Sequence, residues 1–273
     1  MHLPRLKQKK EVSELLFDSH AHLNDPELYK DLEDVLTRAK EAGVGHIASI
    51  GYDWPSSLMN VRLAEKYPDM VHAVIGIHPH DAKIWDEKMS QKIYELARSA
   101  DVVAIGEIGL DYYRNLSPKE DQIRAFVEQI KLARELSLPI VIHDRDAHGD
   151  VMRILKQERG GVNGGIIHCF SGSWEMAEVC MRLGFEISFA GPITYTNARS
   201  LVEVAKKVPL AHLLIETDCP YLSPHPYRGK NNEPARVSLV ARKLSEICGI
   251  DIEQITKMTT ENAIRVYRIK NCV

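Results

Sequence analysis

No apolar run in the sequence approaches the roughly 20 residues that a membrane-spanning helix requires. The opening stretch, MHLPRLKQKKEVSELLF, carries positive charge but no apolar segment for export before charge resumes, so neither a span nor a secretory signal is expected. Cysteine is sparse and odd in number. Cys169, Cys180, Cys219, Cys248 and Cys272 lack CxxC spacing, which leaves no support for a disulfide framework or a thiolate zinc site. The expected setting is a reducing cytoplasm. No tract rich in Pro, Gly or Ser splits the chain, and no low-complexity segment marks a linker. Strong basic charge is also missing: a formal net charge of -3 provides no global field for tracking a nucleic-acid backbone, so any such contact has to be local.

The charged fraction of 27% and hydrophobic fraction of 44% are those of a globular chain, which excludes a disordered or fibrous one. Histidine is the residue in excess. There are 12, several of them paired or at the ends of apolar runs, whereas a core needs few imidazoles.

From Leu15 onward, apolar runs alternate with helical stretches at intervals of about 25 to 45 residues. The expected strands are Leu15 to Ser19, His46 to Gly51, Val71 to Ile77, Val102 to Ile108, Pro139 to His143, Gly165 to Phe170, Phe185 to Phe189 and Leu213 to Thr217. Between them lie amphipathic segments such as Asp31 to Ala42, Lys119 to Leu136, Asp146 to Gln157 and Asn197 to Lys207, long enough to cross over to a parallel strand. Near-continuous apolar runs such as VVAIGEIGL suit a sheet covered on its outer face, and eight βα repeats are the number that closes a barrel. The expected fold is therefore an α/β (β/α)8 TIM barrel in a single domain over 15–273, preceded by an N-terminal extension at 1–14; a doubly wound open sheet is the runner-up. A last helix, about Ile252 to Tyr267, is expected to close one end.

Metal-type side chains recur at the C-terminal ends of these strands, where barrel enzymes assemble their sites. The first strand ends FDSHAHL, so His20 and His22 lie two apart and leave on one face. An isolated HxH is most often a chance pair. The fourth strand ends IGEIGLD and sets Glu107 among apolar residues, where a carboxylate is costly unless it meets a cation or strong donors. The fifth gives VIHDRD, with His143 and Arg145 on one face, and the sixth gives IIHCFSG with His168. Each histidine alone has a bland explanation as a core or capping imidazole, but several strands ending this way argue against coincidence. LIETDCP then supplies Asp218, otherwise a helix-capping residue. Four imidazoles and two carboxylates exceed the needs of one tetrahedral ion and suit two divalent ions bridged by a carboxylate such as Glu107. Zn or Mn suits the imidazoles, and Mg is open through oxygen ligands and substrate phosphate. Such a centre acidifies water for hydrolysis, with Asp218 able to take the proton.

GIHPHDA adds His78 and His80 outside this ligand set, expected at the substrate or at a second metal, with a loop-stabilising role as the bland alternative. After the eighth strand, SPHPYRGKNNEPAR offers Arg228 and Lys230 where barrels commonly bind phosphate, with Arg145 beside them; the bland alternative is a solvated loop. Tyr112 and Tyr113, just past Glu107, are of the type on which a base stacks, or else simply pack.

Taken in order, FDSHAHL, GIHPHDA, GEIGLDYY, IHDRDA, HCFSGS, ETDCPYL and PYRGKNNEPARV resemble the TatD-type deoxyribonucleases of the amidohydrolase superfamily, from about Leu15 to Tyr267. That resemblance implies two divalent metals and hydrolysis of phosphodiester bonds in DNA, typically from 3' to 5' and on single strands. It implies His20, His22, Glu107, His143, His168 and Asp218 as ligands, with Glu107 bridging and, like Asp218, catalytic. The six positions match the family's pattern; the residues before the first strand depart from it. A monomer acting on DNA is expected. The alternative is an ester, amide or D-aminoacyl-tRNA hydrolase using the same metal site.

Overall fold

The computed structural model describes residues 15–269; the expected extension at 1–14 lies outside them. The apolar runs become eight strands, β1 (Leu16–Ala21), β2 (Val44–Ile50), β3 (Val71–Ile75), β4 (Val102–Asp111), β5 (Ile140–Arg145), β6 (Gly165–Ile167), β7 (Phe185–Phe189) and β8 (Leu213–Ile215). All pair in parallel, and sequence order is sheet order from β1 to β8. The helices are α1 (Pro26–Tyr29), α2 (Leu32–Glu41), α3 (Trp54–Lys66), α4 (Glu87–Ser99), α5 (Lys119–Glu135), α6 (His148–Gln157), α7 (Trp174–Arg182), α8 (Arg199–Ala205), α9 (Val237–Cys248) and α10 (Ile252–Tyr267). Among the described residues, no helix is long and apolar enough to cross a membrane.

The ring closes where β8 meets β1. A parallel bridge joins Ala21 to Cys219, and side chains stitch the rest of the seam. The Asp18 carboxylate accepts from the Thr217 amide at 2.9 Å and the Thr217 hydroxyl at 2.6 Å, while the Ser19 hydroxyl donates to the Ile215 carbonyl at 2.9 Å. Backbone groups at the seam would otherwise lack partners. This near-closure makes the fold a (β/α)8 barrel and excludes the doubly wound open sheet.

Alternation along the strands builds two apolar layers. Phe17, Ala48, Ile50, Val74, Val141, Ile166 and Leu214 pack inside the barrel, whereas Ile47, Ile75, Ile142, Ile167 and Ile215 pack outward under the helices. At about 1.5–3 kcal/mol for each large apolar side chain fully buried, both faces contribute, which is why the strands read as continuous apolar runs. α10 has the expected bounds and covers the N-terminal end of the barrel: its Ala263, Val266 and Tyr267 join the inner layer, and the Tyr267 hydroxyl donates to the Ser19 carbonyl at 2.7 Å.

Several expected boundaries shift for local reasons. β6 and β8 stop at Ile167 and Ile215, short of the expected Phe170 and Thr217. Beyond each the chain turns through a positive φ, 42° at Cys169 and 55° at Asp218, which no ladder accommodates. Asp146 likewise has a φ of 55°, so α6 begins at His148. α8 is trimmed to Arg199–Ala205, and β1 runs on past Ser19 to Ala21.

Candidate metal centre

Simple alternation would not deliver all the metal-type side chains into the mouth. The inner layer includes Phe17, and the Ser19 hydroxyl meets that of Ser188 across the barrel at 3.1 Å, so β1 at first turns its odd residues inward. Its pairing with β2 then shifts between Asp18 and Ala21, and His20 and His22 enter the mouth instead. On β4, Ala104 faces inward; the pairing with β5 shifts between Ile105 and Ile108, and Glu107 turns inward. Such bulges re-aim side chains beside sites. They accompany close approach of the backbones: a Cβ on Gly109 would lie 2.0 Å from the His143 carbonyl oxygen. β5 and β6 need no correction, because His143 and His168 continue the inward phase of Val141 and Ile166.

All six expected ligands converge. His20 Nε2 and His22 Nε2 are 3.4 Å apart. Asp218 Oδ1 is 3.6 and 3.4 Å from them, and Glu107 Oε2 is 3.5 and 3.8 Å from them. On the other side of the same carboxylate, Glu107 Oε1 lies 2.7 Å from His143 Nδ1 and 2.8 Å from His168 Nε2, and those two nitrogens are 3.4 Å apart. Ligands about 2.0–2.2 Å from a tetrahedral ion are separated by roughly 3.3–3.6 Å, so the first cluster already has the spacing of a coordination shell. Among the described residues, three overlapping donor groups could hold an ion: His20, Glu107 and His168; His20, His22 and Asp218; and His78, Glu107 and His143.

Proton positions on the rings fit the same use. The Ile50 carbonyl takes the His22 Nδ1 proton at 3.1 Å, Asp111 Oδ2 takes that of His143 Nε2 at 3.1 Å, and Glu216 Oε1 takes that of His168 Nδ1 at 3.2 Å. Each acceptor fixes a tautomer and leaves the opposite nitrogen's lone pair facing the cluster, as metal-binding imidazoles require. His78 differs. Its Nδ1 accepts from the His80 amide at 3.0 Å, so the neutral ring carries its proton on Nε2, directed at Glu107 Oε1 3.7 Å away. In that tautomer His78 is a donor to Glu107, unlike the three rings above.

Burial alone would raise Glu107, but the imidazoles around it, His168 and His78 foremost, hold its carboxyl well below the usual range. Asp218 is likewise lowered against its burial by His22, His20 and His168. Burial would lower His168, yet Glu107 and Glu216 lift it well above the ordinary imidazole value. Burial prevails at His20 and His78, which are lowered. Protons thus compensate the buried carboxylates here, and a cation held by these residues would take their place.

The remaining expected residues separate into two groups. His78 and His80 join the cluster's edge, with His80 Nε2 2.9 Å from Asp111 Oδ2. Arg145 and Arg228 lie on aromatic rings, 4.1 Å from the Tyr113 centroid and 4.6 Å from that of Tyr195, and Lys230 lies 6.0 Å from that of Tyr227. Arg228 and Lys230 are exposed on the loop after β8. The sequence reading missed Asp111 and Glu216, both fully buried. Glu216 had one legible signal: it sits two residues past inward-facing Leu214.

The sequence matches the family described as TatD related DNase over residues 17–268. It is 49% identical over 255 residues to the Bacillus subtilis (strain 168) protein named "Uncharacterized metal-dependent hydrolase YabD", covering 93% of this chain and 100% of that one. It is 36% identical over 259 residues to the Pectobacterium parmentieri protein named "3'-5' ssDNA/RNA exonuclease TatD", again covering 93% and 100%. Among solved structures, YJJV, a TatD homologue from Escherichia coli, superposes with a TM-score of 0.87 at 31% identity, covering 94% of this chain and 99% of that one.

Proposed function

Because the chain belongs to the TatD-related DNase family, we propose that it is a metal-dependent hydrolase that shortens single-stranded DNA from the 3' end. The observation that carries this reading is the division of Glu107, whose Oε2 faces His20, His22 and Asp218 while its Oε1 faces His143 and His168. These six residues would hold two divalent ions, Zn or Mn by donor type or Mg recruited with the substrate phosphate. Ions held there would supply Lewis acidity toward the scissile phosphodiester and a more acidic water. Asp218 accepts the water's proton as the water oxygen bonds to phosphorus, the bond from phosphorus to the leaving sugar oxygen breaks, and that oxygen takes a proton from Asp218 or solvent. His78, neutral with its proton on Nε2, donates to a phosphate oxygen, and His80 steadies Asp111 behind His143. Arg145 binds near the scissile position, and Arg228 and Lys230 meet phosphates farther along the strand. The exonuclease name of a relative at 36% identity supports the choice of a nucleic-acid substrate.

The test uses metal-stripped protein on end-labelled single-stranded DNA, with Mg, Mn or Zn returned separately and Asp218→Asn as control. Asparagine keeps the side chain's size and tolerates the 55° φ at this position, so the fold is retained. Loss of the proton acceptor is expected to lower kcat by about 10²–10⁴. A variant rate within about threefold of wild type refutes Asp218 as the base. No shortening under any metal, with turnover confined to ester, amide or D-aminoacyl-tRNA substrates, replaces the nuclease reading with that of a different hydrolase.

A further inference from the structure

The mouth carries two adjacent tyrosines with opposite fates. Tyr112 is tied down: its hydroxyl donates to Asp150 at 2.8 Å, and Lys119 Nζ stands 4.1 Å from its ring centroid. Tyr113 is 61% exposed, followed by Leu116 at 58%, on the loop leaving β4.

Tyr113 is also held in place. The Arg145 guanidinium lies 4.1 Å from its ring centroid, and Arg145 pairs in the sheet with Asp111, two residues beyond His143. Among the described residues Arg145 forms no ion pair with a carboxylate, although its charge is felt at Cys169 beside His168. A planar cation on one ring face fixes the ring's orientation and leaves its other surface to solvent. An oriented aromatic ring beside an unpaired cation is the combination by which single-stranded nucleic acids are held, base on ring and phosphate on cation.

We infer that Tyr113, oriented by Arg145, is the stacking platform for the base of the nucleotide next to the scissile phosphate. This rests on the nuclease reading above. The ligand class is a single-stranded nucleic acid recognised through a base's flat face, so any of the four bases serves, while a sugar-phosphate without a base loses the contact.

Metal-loaded wild type, Tyr113→Ala and Tyr113→Phe are compared by steady-state kinetics on a short 5'-labelled single strand and on a matched strand whose 3'-terminal nucleotides are abasic. Base stacking on an aromatic ring is large enough for Tyr113→Ala to raise KM roughly fivefold to a hundredfold on the base-bearing strand, with kcat moving far less. Tyr113→Phe, which retains the ring, is expected to restore KM. The preference of wild type for the base-bearing strand should shrink in Tyr113→Ala. Equal KM for Tyr113→Ala and wild type, or an equal rise on both strands, overturns the platform while leaving the nuclease intact. Failure of metal-loaded wild type to shorten either strand overturns the nuclease reading and the platform with it.

Discussion

Replacing Glu216 with glutamine separates metal affinity from fold stability. Glu216 Oε1 accepts from the Cys169 amide at 2.8 Å and from His168 Nδ1 at 3.2 Å, while its buried Oε2 has no hydrogen-bond partner. Glutamine preserves an accepting oxygen for both donors but removes the charge that polarises His168. Loss of such support behind a metal-binding histidine costs about 10- to 100-fold in affinity, or roughly 1.4–2.7 kcal/mol. If the proposed site holds two ions, the loss should fall on the one beside Glu107 Oε1, which His168 faces at 2.8 Å. Folding responds in the opposite sense. Glutamine still accepts from both donors, and His168 keeps Glu107 as its carboxylate partner, so removing a buried charge whose second oxygen is unpaired leaves the metal-free protein as stable as before or more so. Chelator competition would measure affinity, and thermal unfolding of metal-stripped protein would measure stability. Glu216→Gln should bind one ion more weakly with an unchanged or higher Tm. Unaltered affinity for both ions, or loss of affinity together with a fallen Tm, would refute this account of Glu216.

Two further substitutions probe other parts of the molecule. Arg228→Ala is expected to weaken single-strand binding and reduce the salt dependence by about one phosphate contact while metal content stays constant; a drop in bound metal contradicts the assignment. His148 stands 2.8 Å from the nearly buried Asp144 carboxylate, which raises its pKa. A raised imidazole stabilises the fold fully below its unfolded value near 6.5 and loses that contribution as pH climbs through the folded value. His148→Gln should therefore lower Tm more at pH 6 than at pH 9, and equal losses at both would sink the pairing.

Strands and the side chains that converge at their ends were legible in the sequence for one reason: a barrel buried on both faces writes each strand as an apolar run and ends it at the mouth. His143 and His168 could be read directly, since each continues the inward alternation of its own strand. His20 and Glu107 were recognised by type and place, but the register shifts that turn them inward leave no mark in the residue pattern; they depend on how neighbouring backbones pair. β6 and β8 were read too long because the chain leaves the sheet ahead of the positive φ at Cys169 and Asp218, a conformation their residue types do not announce.

What stayed hidden is decided by partners distant in sequence. Glu216 acquires its role from His168, 48 residues earlier, and Asp111 from His143 and His80, 32 and 31 residues away. Composition cannot distinguish a carboxylate that holds an imidazole from one that caps a helix; the acceptor's position across the barrel does. The same holds for the two tyrosines. Tyr112 and Tyr113 are identical residues at consecutive positions, and only the neighbours that the fold supplies, Asp150 and Lys119 for one and Arg145 for the other, make the first a strut and leave the second facing solvent. In this barrel the candidate ligands follow from strand order, whereas the groups that orient them follow from closure of the ring.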